Sequence, residues 1–295
     1  MFAALGVGAY VLTGNSAMAD AIIKKTVPKT GEPLPAIGLG TWQTFDVAAA
    51  DAAREPLRQV LNEFVRLGGS VIDSSPMYGK SETVAGDLAS ELGVQKRLFF
   101  ATKVWTSGHD AGMRQMNESF RRLRTRRMDL MQVHNLVDYR VHLQTIRQWK
   151  EQGKVRYLGV THYTASAHDE LARVLATEEL DFVQLNYSLA EREAEKRLLP
   201  LAAQRRVAVL VNRPLAGGGL FRKVRGKPLP PWAQEIGCAS WAQFFLKFVI
   251  SHPAVTCAIP ATGKLHHLID DMQAGVGPLP DVPARERMAR HVAEL

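Results

Sequence analysis

The regular alternation of short apolar runs with longer segments of helical periodicity constrains this chain most. From residue 36 onward, eight runs typical of β-strands alternate with eight segments typical of helices. Strands separated by helices are joined by right-handed crossovers into a parallel sheet, and eight such units favour a (β/α)8 TIM barrel. The predicted strands are 36–40, 70–73, 98–103, 129–134, 155–160, 181–186, 207–212 and 255–259.

Residues at the ends of these segments support the division. Gly68 and Gly153 follow predicted helices and are typical of helix C-termini. Thr164 and Ser166 are placed to cap the helix that begins near 165. A doubly wound sheet is the main alternative, but no G-x-G-x-x-G sequence opens a helix after the first strand. The predicted helices are 48–67, 80–92, 111–125, 139–152, 165–176, 191–205, 239–251 and 264–274.

The segment before the first barrel strand predicts a β-hairpin. Residues 26–35 contain a polar turn sequence at 29–32, which favours a reversal of the chain. We expect this hairpin to plug the floor of the barrel. Because no internal repeat or low-complexity linker interrupts the alternation, we predict that 20–295 forms one domain.

The first 19 residues contain no Asp, Glu, Lys or Arg. The apolar stretch 1–12, followed by Ala17 and Ala19, matches the A-x-A pattern of a secretory cleavage site, although no basic residue precedes it. The stretch is too short for a membrane span. We predict that 1–19 is a signal peptide that lacks its start, or a mobile extension. The protein would be periplasmic or exported if the signal functions, and cytoplasmic otherwise.

Composition excludes several classes of protein. An apolar share of 46% and a charged share of 22% are typical of a soluble globular chain. Two cysteines exclude a disulfide scaffold and a thiolate zinc site, and the sequence predicts no metal. The net charge is +8, but the one basic run, 120–127, lies at a predicted helix end, where cations are favoured. We expect no nucleic-acid partner, no stable membrane insertion and a monomer.

Four polar residues fall at or just beyond the carboxyl ends of predicted strands. Asp73 ends the second strand, and Tyr78 lies in the loop that follows. Lys103 ends the third strand and His134 ends the fourth. Because a barrel gathers the carboxyl ends of its strands at one mouth, where active sites lie, we expect these side chains, called the tetrad below, to converge.

The tetrad suits proton transfer to a carbonyl oxygen. A tyrosine can donate a proton at neutral pH, a neighbouring ammonium stabilises the phenolate, and a carboxylate holds the ammonium in place. A histidine can hydrogen-bond and polarise the carbonyl. Singly, each residue also has an ordinary structural explanation, such as a turn cap or a buried histidine. Since the carbonyl carbon must receive a hydride, the set predicts a nicotinamide cofactor.

The motifs around the tetrad resemble those of the aldo-keto reductase family, over roughly residues 30 to 275. The matching segments are 38–42 (GLGTW), 73–79 (from Asp73 to a final PMYG), 102–105 (TKVW) and 132–135 (QVHN). The resemblance implies that NADPH (NADP) lies extended across the barrel mouth, along Gly40, Thr41 and Trp42. Trp42 and Trp105 would wall the substrate pocket, which would suit medium-sized aldehydes or ketones.

Further cofactor contacts are implied by the family pattern. Thr161, His162 and Gln184 would contact the nicotinamide carboxamide, although His162 stands where the family commonly has Asn. After the seventh strand, Asn212 replaces an aromatic residue that usually stacks on the nicotinamide ring. The segment after it would also contact the cofactor, through Arg213, Pro214, Leu215 and Gly217.

The segment after the eighth strand resembles the one that binds the adenosine 2′-phosphate. Lys264 and Thr262 would bind this phosphate and favour NADPH over NADH. His267 stands where the family often has Arg. Asp271 stands where an Asn often contacts adenine, and it would add a negative charge.

The leading hypothesis is an NAD(P)H-dependent oxidoreductase that reduces an aldehyde or ketone to an alcohol, with Tyr78 as general acid. One alternative is a non-catalytic nucleotide-binding barrel that docks on a partner protein, against which the intact tetrad argues. Another is a lyase or aldolase that forms a Schiff base at Lys103. This last reaction leaves Tyr78 without a role.

Overall fold

A β-hairpin opens the part of the chain that the computed structural model describes, residues 21–295. Strands β1 (Lys24–Thr26) and β2 (Pro33–Pro35) pair antiparallel. Between them the turn uses Gly31 at a φ of +74°, a conformation that glycine adopts without strain. Val27 and Leu34 are buried in one cluster with side chains of the barrel interior. The hairpin thus closes the barrel floor, where the amino ends of the parallel strands lie, as predicted.

Eight parallel strands form the barrel, and each pairs with its neighbour in the chain. Parallel bridges from Ile37 to Ala258 and from Gly40 to Ala261 join the first and last strands and close the sheet. The predicted (β/α)8 barrel is confirmed. The barrel strands are β3 (Leu39–Gly40), β4 (Val71–Asp73), β5 (Phe99–Val104), β6 (Met128–His134), β7 (Val155–Thr161), β8 (Phe182–Asn186), β9 (Ala208–Asn212) and β10 (Val255–Ala258).

Helices cover the outside of the barrel and bury their apolar faces against the strands. The first of them ends as the sequence predicts, because Gly68 follows it with a φ of +86°. The helices are α1 (Asp51–Arg66), α2 (Ser81–Glu91), α3 (His109–Arg122), α4 (Tyr139–Glu151), α5 (His168–Thr177), α6 (Leu198–Gln204), α7 (Gly219–Lys223), α8 (Trp241–Ile250), α9 (Leu265–Gln273) and α10 (Val282–Glu294).

Helices α5 and α6 begin later than the sequence predicts. Helix α6 begins at Leu198 rather than near 191, because Pro200 has no N–H and fits only the first turn. The predicted capping by Thr164 and Ser166 is wrong. Helix α5 begins at His168 without a side-chain cap, and the two hydroxyls bond to each other at 3.0 Å.

The C-terminal helix α10 was not predicted. Asp281 caps it by accepting from the backbone N–H of Ala284 at 2.9 Å, and a proline lies in its first turn. Its buried Arg285 donates to the Tyr187 hydroxyl at 2.6 Å and to the Glu195 carboxylate at 3.0 Å. Helix α10 is therefore anchored to the barrel wall.

The barrel interior changes from apolar at the floor to polar at the mouth. Alternate residues of a strand point to the same face, so Phe99, Ala101 and Lys103 of β5 point inward together. Phe99 and Ala101 belong to the apolar floor cluster, whereas Lys103, two residues further on, is a wholly buried ammonium. The alternation of side chains along the strand therefore places a buried polar group at the mouth, directly above packed apolar side chains.

No helix within residues 21–295 is long and apolar enough to cross a membrane. The predicted signal peptide, 1–19, lies outside the described residues and stays a prediction.

Candidate active site

The carboxylate of Asp73 is the centre of a buried hydrogen-bond network at the barrel mouth. Its Oδ2 accepts from Lys103 Nζ at 2.5 Å. Its Oδ1 accepts from Gln184 Nε2 at 2.8 Å and from Gln132 Nε2 at 3.2 Å. Lys103 Nζ also donates to the backbone oxygen of Ser74 at 2.7 Å. One side chain therefore links strands β4, β5, β6 and β8, and the buried charges are paired and hydrogen-bonded.

Tyr78 and His134 complete the tetrad above this network. Lys103 Nζ lies 4.9 Å from the centroid of the Tyr78 ring. The rings of Tyr78 and His134 meet edge to face, with 5.9 Å between their centroids. His134 is 6% exposed, and Tyr78 is partly buried. The structure therefore brings the four predicted side chains together.

The loop 74–80 holds Tyr78 in position. The backbone N–H of Tyr78 donates to the oxygen of Ser75 at 3.0 Å. Gly79 has a φ of +58°, and a Cβ there would lie 2.3 Å from a carboxylate oxygen of Asp46. That carboxylate in turn accepts from the backbone N–H of Lys80 at 3.0 Å. Glycine is required at this position because both the conformation and the space exclude a side chain.

Electrostatics keep Tyr78 protonated and Lys103 charged. Burial raises the pKa of Tyr78, the Lys103 ammonium opposes that rise, and the Asp73 carboxylate reinforces it. Burial acts to lower the pKa of Lys103, but the Asp73 carboxylate and then the neighbouring Tyr78 outweigh it, and the pKa is raised. A phenol proton therefore lies beside a fixed positive charge.

His134 is a neutral imidazole. Burial, followed by the positive charge of Lys103 and the proximity of His162, lowers its pKa to about 2. Its Nδ1 lies 3.1 Å from the hydroxyl oxygen of Ser75. A neutral imidazole has one N–H donor and one acceptor, so the partner of Nδ1 decides what Nε2 can do.

Large apolar side chains are exposed in the loops that follow β3, β4 and β5. Trp42, Met77 and Trp105 are 48%, 40% and 42% exposed. The Trp105 ring lies 6.5 Å from the His134 ring, centroid to centroid. The amide of Gln115 holds the Trp105 backbone, accepting from its N–H at 2.5 Å and donating to its oxygen at 3.2 Å. These walls can receive an apolar substrate beside the tetrad.

The start of the proposed cofactor path is tightly packed. A Cβ on Gly40 would lie 2.9 Å from the backbone oxygen of Ile259, so only glycine fits between β3 and the segment after β10. Thr41 is buried, and its hydroxyl donates toward the Asp73 backbone oxygen at 3.0 Å and Ser74 Oγ at 2.9 Å. Gly40 and Thr41 therefore shape the backbone next to the exposed Trp42.

His162 offers a donor where the family commonly has Asn. Its Nδ1 accepts from the backbone N–H groups of Tyr163 and Thr164 at 3.0 and 3.3 Å. Because backbone N–H groups can only donate, Nδ1 is the acceptor and Nε2 carries the proton. Burial lowers the pKa of His162 and favours this neutral form.

Gln184, whose amide nitrogen donates to Asp73, is joined to Asn212 through its amide oxygen. Gln184 Oε1 accepts from the Thr161 hydroxyl at 3.1 Å and from Asn212 Nδ2 at 3.3 Å. Asn212 Nδ2 also donates to the backbone oxygen of His162 at 3.1 Å. Asn212 Oδ1, by contrast, is buried and has no hydrogen-bond partner within residues 21–295. An unpaired buried acceptor is costly, so this oxygen suits a donor from a ligand.

The loop after β9 has a strained backbone and an unpaired donor. Arg213 has a φ of +50°, in the left-handed region that non-glycine residues rarely adopt. Its Nε is buried and finds no acceptor in the described part of the chain. Pro214 is buried, Leu215 packs against the core, and Gly217 has a φ of +58°. The Arg213 guanidinium lies beside the Glu191 carboxylate, with 3.8 Å between Nη2 and Oε1.

The segment after β10 leaves the Lys264 ammonium exposed. The buried Thr262 hydroxyl accepts from the Lys264 backbone N–H at 3.1 Å and fixes the entry to α9. The side chain of His267 is largely exposed. The remaining desolvation of its ring, and then the neighbouring His266 and Lys264, lower its pKa. Burial and the charge of Asp270 raise the pKa of Asp271 to about 8. The negative charge that the sequence assigns to Asp271 is therefore largely absent at neutral pH.

Sequence reasoning missed three residues of the site. Gln132 lies two positions before His134, so strand periodicity could have identified it as an inward-facing partner. Ser75 and Met77 lie between Asp73 and Tyr78, and the sequence alone gives no direction for loop side chains. Their contacts become visible only in three dimensions.

The architecture and the motifs agree with comparisons to known proteins. The model of the Aldo/keto reductase family matches residues 36–285. The chain belongs to the aldo-keto reductase family. The predicted resemblance is confirmed.

Three relatives of this aldo-keto reductase are 28% to 30% identical to it over the aligned residues. Methylglyoxal reductase YeaE of Escherichia coli (strain K12) is 30% identical over 244 residues, which are 80% of this chain and 83% of that protein. Aldo-keto reductase YhdN of Bacillus subtilis (strain 168) is 28% identical over 214 residues, 68% of this chain and 64% of that one. An aldo-keto reductase from Klebsiella pneumoniae, solved in complex with NADPH, is 28% identical, with a TM-score of 0.78, and covers 92% of this chain and 96% of its own.

Proposed function

We propose that this aldo-keto reductase uses NADPH to reduce an aldehyde or ketone to an alcohol, with Tyr78 as the proton donor. The observation that carries the proposal is the charged Lys103 held between Asp73 and the Tyr78 ring, beside a neutral His134. An ammonium in this position stabilises the developing phenolate, so it makes proton donation by a phenol feasible at neutral pH.

Unpaired polar atoms at the barrel mouth fit a nicotinamide dinucleotide. Among the described residues, the Asn212 oxygen lacks a donor and the Arg213 Nε lacks an acceptor. A carboxamide supplies donors, and a pyrophosphate supplies acceptors. The Klebsiella pneumoniae relative in complex with NADPH supports the same cofactor here. When bound, the cofactor supplies the hydride for the carbonyl carbon.

Residues on β7, β8 and β9 would hold the nicotinamide end. His162 Nε2–H can donate to the carboxamide oxygen, and Asn212 Oδ1 can accept from its nitrogen. Thr161 and Gln184 orient these groups from below. Because Asn212 stands where the family usually has a stacking aromatic residue, hydrogen bonds take over the orientation of the ring.

The adenosine end would lie along the segment after β10. The Lys264 ammonium is exposed there and can bind the 2′-phosphate, with Thr262 fixing the backbone that carries it. The protonated form of Asp271 can both donate and accept, like the Asn that it replaces. These contacts favour NADPH over NADH.

Two side chains of the tetrad would act on the substrate. The neutral His134 hydrogen-bonds the carbonyl oxygen and orients it, and Tyr78 gives its proton to the same oxygen as negative charge develops there. Lys103 stabilises the phenolate that remains, and Asp73 holds Lys103. The exposed walls Trp42 and Trp105 exclude water from one side of the substrate.

A Schiff-base reaction at Lys103 is not favoured. Such a reaction needs a neutral amine. The pKa of Lys103 is raised and its ammonium donates to Asp73 and to the Ser74 oxygen, so the group stays charged and is poorly placed to act as a nucleophile.

The direct test is NADPH oxidation, followed by absorbance, with a panel of small dicarbonyls, aromatic aldehydes, ketones and sugars. Because one relative is named a methylglyoxal reductase, methylglyoxal is the first substrate to try. We expect turnover with aldehydes and a kcat lower by about 10³-fold in the Tyr78→Phe variant. NADPH binding without turnover on any carbonyl would instead favour the non-catalytic barrel.

A further inference from the structure

We propose that Ser75 fixes the tautomer of His134, so that Nε2 carries the ring proton and points it at the substrate carbonyl. Ser75 would thus be a positioning residue that acts through His134. The inference rests on the proposed function for its purpose, but the tautomer itself can be measured in the free protein.

The hydrogen bonds around the Ser75 hydroxyl give its direction. Ser75 Oγ lies 3.1 Å from His134 Nδ1, and it also accepts from the backbone N–H of Met77 at 3.4 Å. A hydroxyl has a single proton to donate. Since Met77 N–H can only donate, Nδ1 of His134 is the acceptor that the hydrogen bonds of residues 21–295 offer to the buried hydroxyl proton, and Nδ1 then carries no proton of its own.

Because His134 is neutral, its ring exists in one of two tautomers, and the hydrogen bond to Ser75 selects between them. With one ring proton, either Nδ1 or Nε2 is the donor. If Nδ1 held the proton, Nε2 would present a lone pair to the carbonyl oxygen and repel it. A donor bond from Ser75 to Nδ1 leaves the proton on Nε2, which is the form that polarises a carbonyl.

The backbone around Ser75 is rigid enough to hold this direction. Ser75 is wholly buried. The residue before it donates from its N–H to the oxygen of Ala101 at 2.9 Å, and the oxygen of Ser75 accepts from the N–H of Tyr78 at 3.0 Å. The same short loop therefore positions the proposed acid and sets the donor direction of the group that orients the substrate.

The test combines long-range proton–nitrogen NMR with kinetics. In the wild-type protein, the spectrum of His134 should show a protonated Nε2 and an unprotonated Nδ1. In Ser75→Ala the spectrum should shift toward the Nδ1–H form, and kcat for aldehydes should fall by about tenfold or more, with the Kd for NADPH unchanged. Ser75→Cys, whose thiol is a weaker donor of similar shape, should give intermediate values.

Ser119→Ala is the matched control, because Ser119 is an equally buried serine on α3, outside the site. It should leave the His134 spectrum and kcat unchanged. A wild-type spectrum with the proton on Nδ1, or an unchanged spectrum in Ser75→Ala, overturns the proposal. If the wild type fails to reduce any carbonyl, the proposed function fails, and the spectra still decide the tautomer.

Discussion

The two halves of the barrel mouth differ in how far their polar groups are satisfied. On the side of β4 to β6, Asp73 and Lys103 are buried, paired with each other and hydrogen-bonded to neighbours. On the side of β9, Asn212 Oδ1 and Arg213 Nε are buried without partners from residues 21–295. The Asp73–Lys103 pair of the first half is preorganised by the protein, although Asn135 Oδ1 after β6 also lacks a partner within residues 21–295. The second half offers two such atoms, whose hydrogen bonds a ligand can complete.

This contrast separates the effects of mutations into two classes. Changes in the preorganised half should alter chemistry and folding but leave cofactor affinity nearly intact. Changes in the unsatisfied half should alter cofactor affinity and its pH dependence. The following predictions test this separation.

The largest effect should follow from Tyr78→Phe. Removing the proton donor should lower kcat by about 10³-fold, or roughly 4 kcal/mol of transition-state stabilisation. NADPH affinity, measured by fluorescence quenching, should change less than about twofold, because the phenol lies in the preorganised half. Tyr163→Phe, at an exposed tyrosine, is the control. Unimpaired turnover in Tyr78→Phe would contradict the assignment of the acid.

Lys103→Met should destabilise the fold by about 3 kcal/mol in urea denaturation, because it leaves the Asp73 carboxylate buried without its cation. The double variant Asp73→Asn/Lys103→Met should recover part of this loss, since no buried charge remains at the pair. If the loss of stability in the double variant equals the sum of the losses in Asp73→Asn and Lys103→Met, the two side chains are not coupled.

Asp271→Asn should stabilise the protein at pH 7. The pKa of Asp271 is raised from 3.8 to about 8, so between these values the folded protein retains a proton that the unfolded chain releases. Stability from this group is therefore complete below about pH 4 and is lost as the pH rises toward 8. Denaturation at about pH 4 should show no difference between variant and wild type. An equal effect at both pH values would contradict the shifted pKa.

The smallest effect should come from Lys264→Ala. Loss of an exposed ammonium should raise the Kd for NADPH by about tenfold and that for NADH by less than about twofold, because only NADPH carries the 2′-phosphate. Lys96→Ala, an exposed lysine just before β5 at the barrel floor, is the control and should change neither value. Equal changes for both cofactors would remove Lys264 as the phosphate ligand.

The sequence predicted the barrel because strand runs, helix periodicity and glycine stops all depend on local chemistry. Asp73, Lys103 and His134 could be found for the same reason, since the position of a residue at a strand end is readable from the run before it. The hairpin was recognised from its turn residues.

Three-dimensional contacts decide what the sequence could not provide. The protonation of Asp271 depends on burial by distant segments, and the direction of the Ser75 hydroxyl depends on Met77 and His134. The start of helix α10 is indicated in the sequence by Asp281 and the proline of its first turn. The contact of its Arg285 with Tyr187 could not be predicted, because the two residues lie far apart in the chain.

The hydrogen bonds by which Asp73 links four strands limit how this protein can be redesigned. A carboxylate that ties the wall together is a poor place to introduce diversity, since each change there would trade fold integrity against chemistry. Trp42 and Met77 project from loops at the entrance, where replacement disturbs no strand-to-strand bond of the described barrel. New substrate preferences should therefore evolve first at these aromatic and thioether side chains, while Asp73 and its hydrogen-bond partners stay constant.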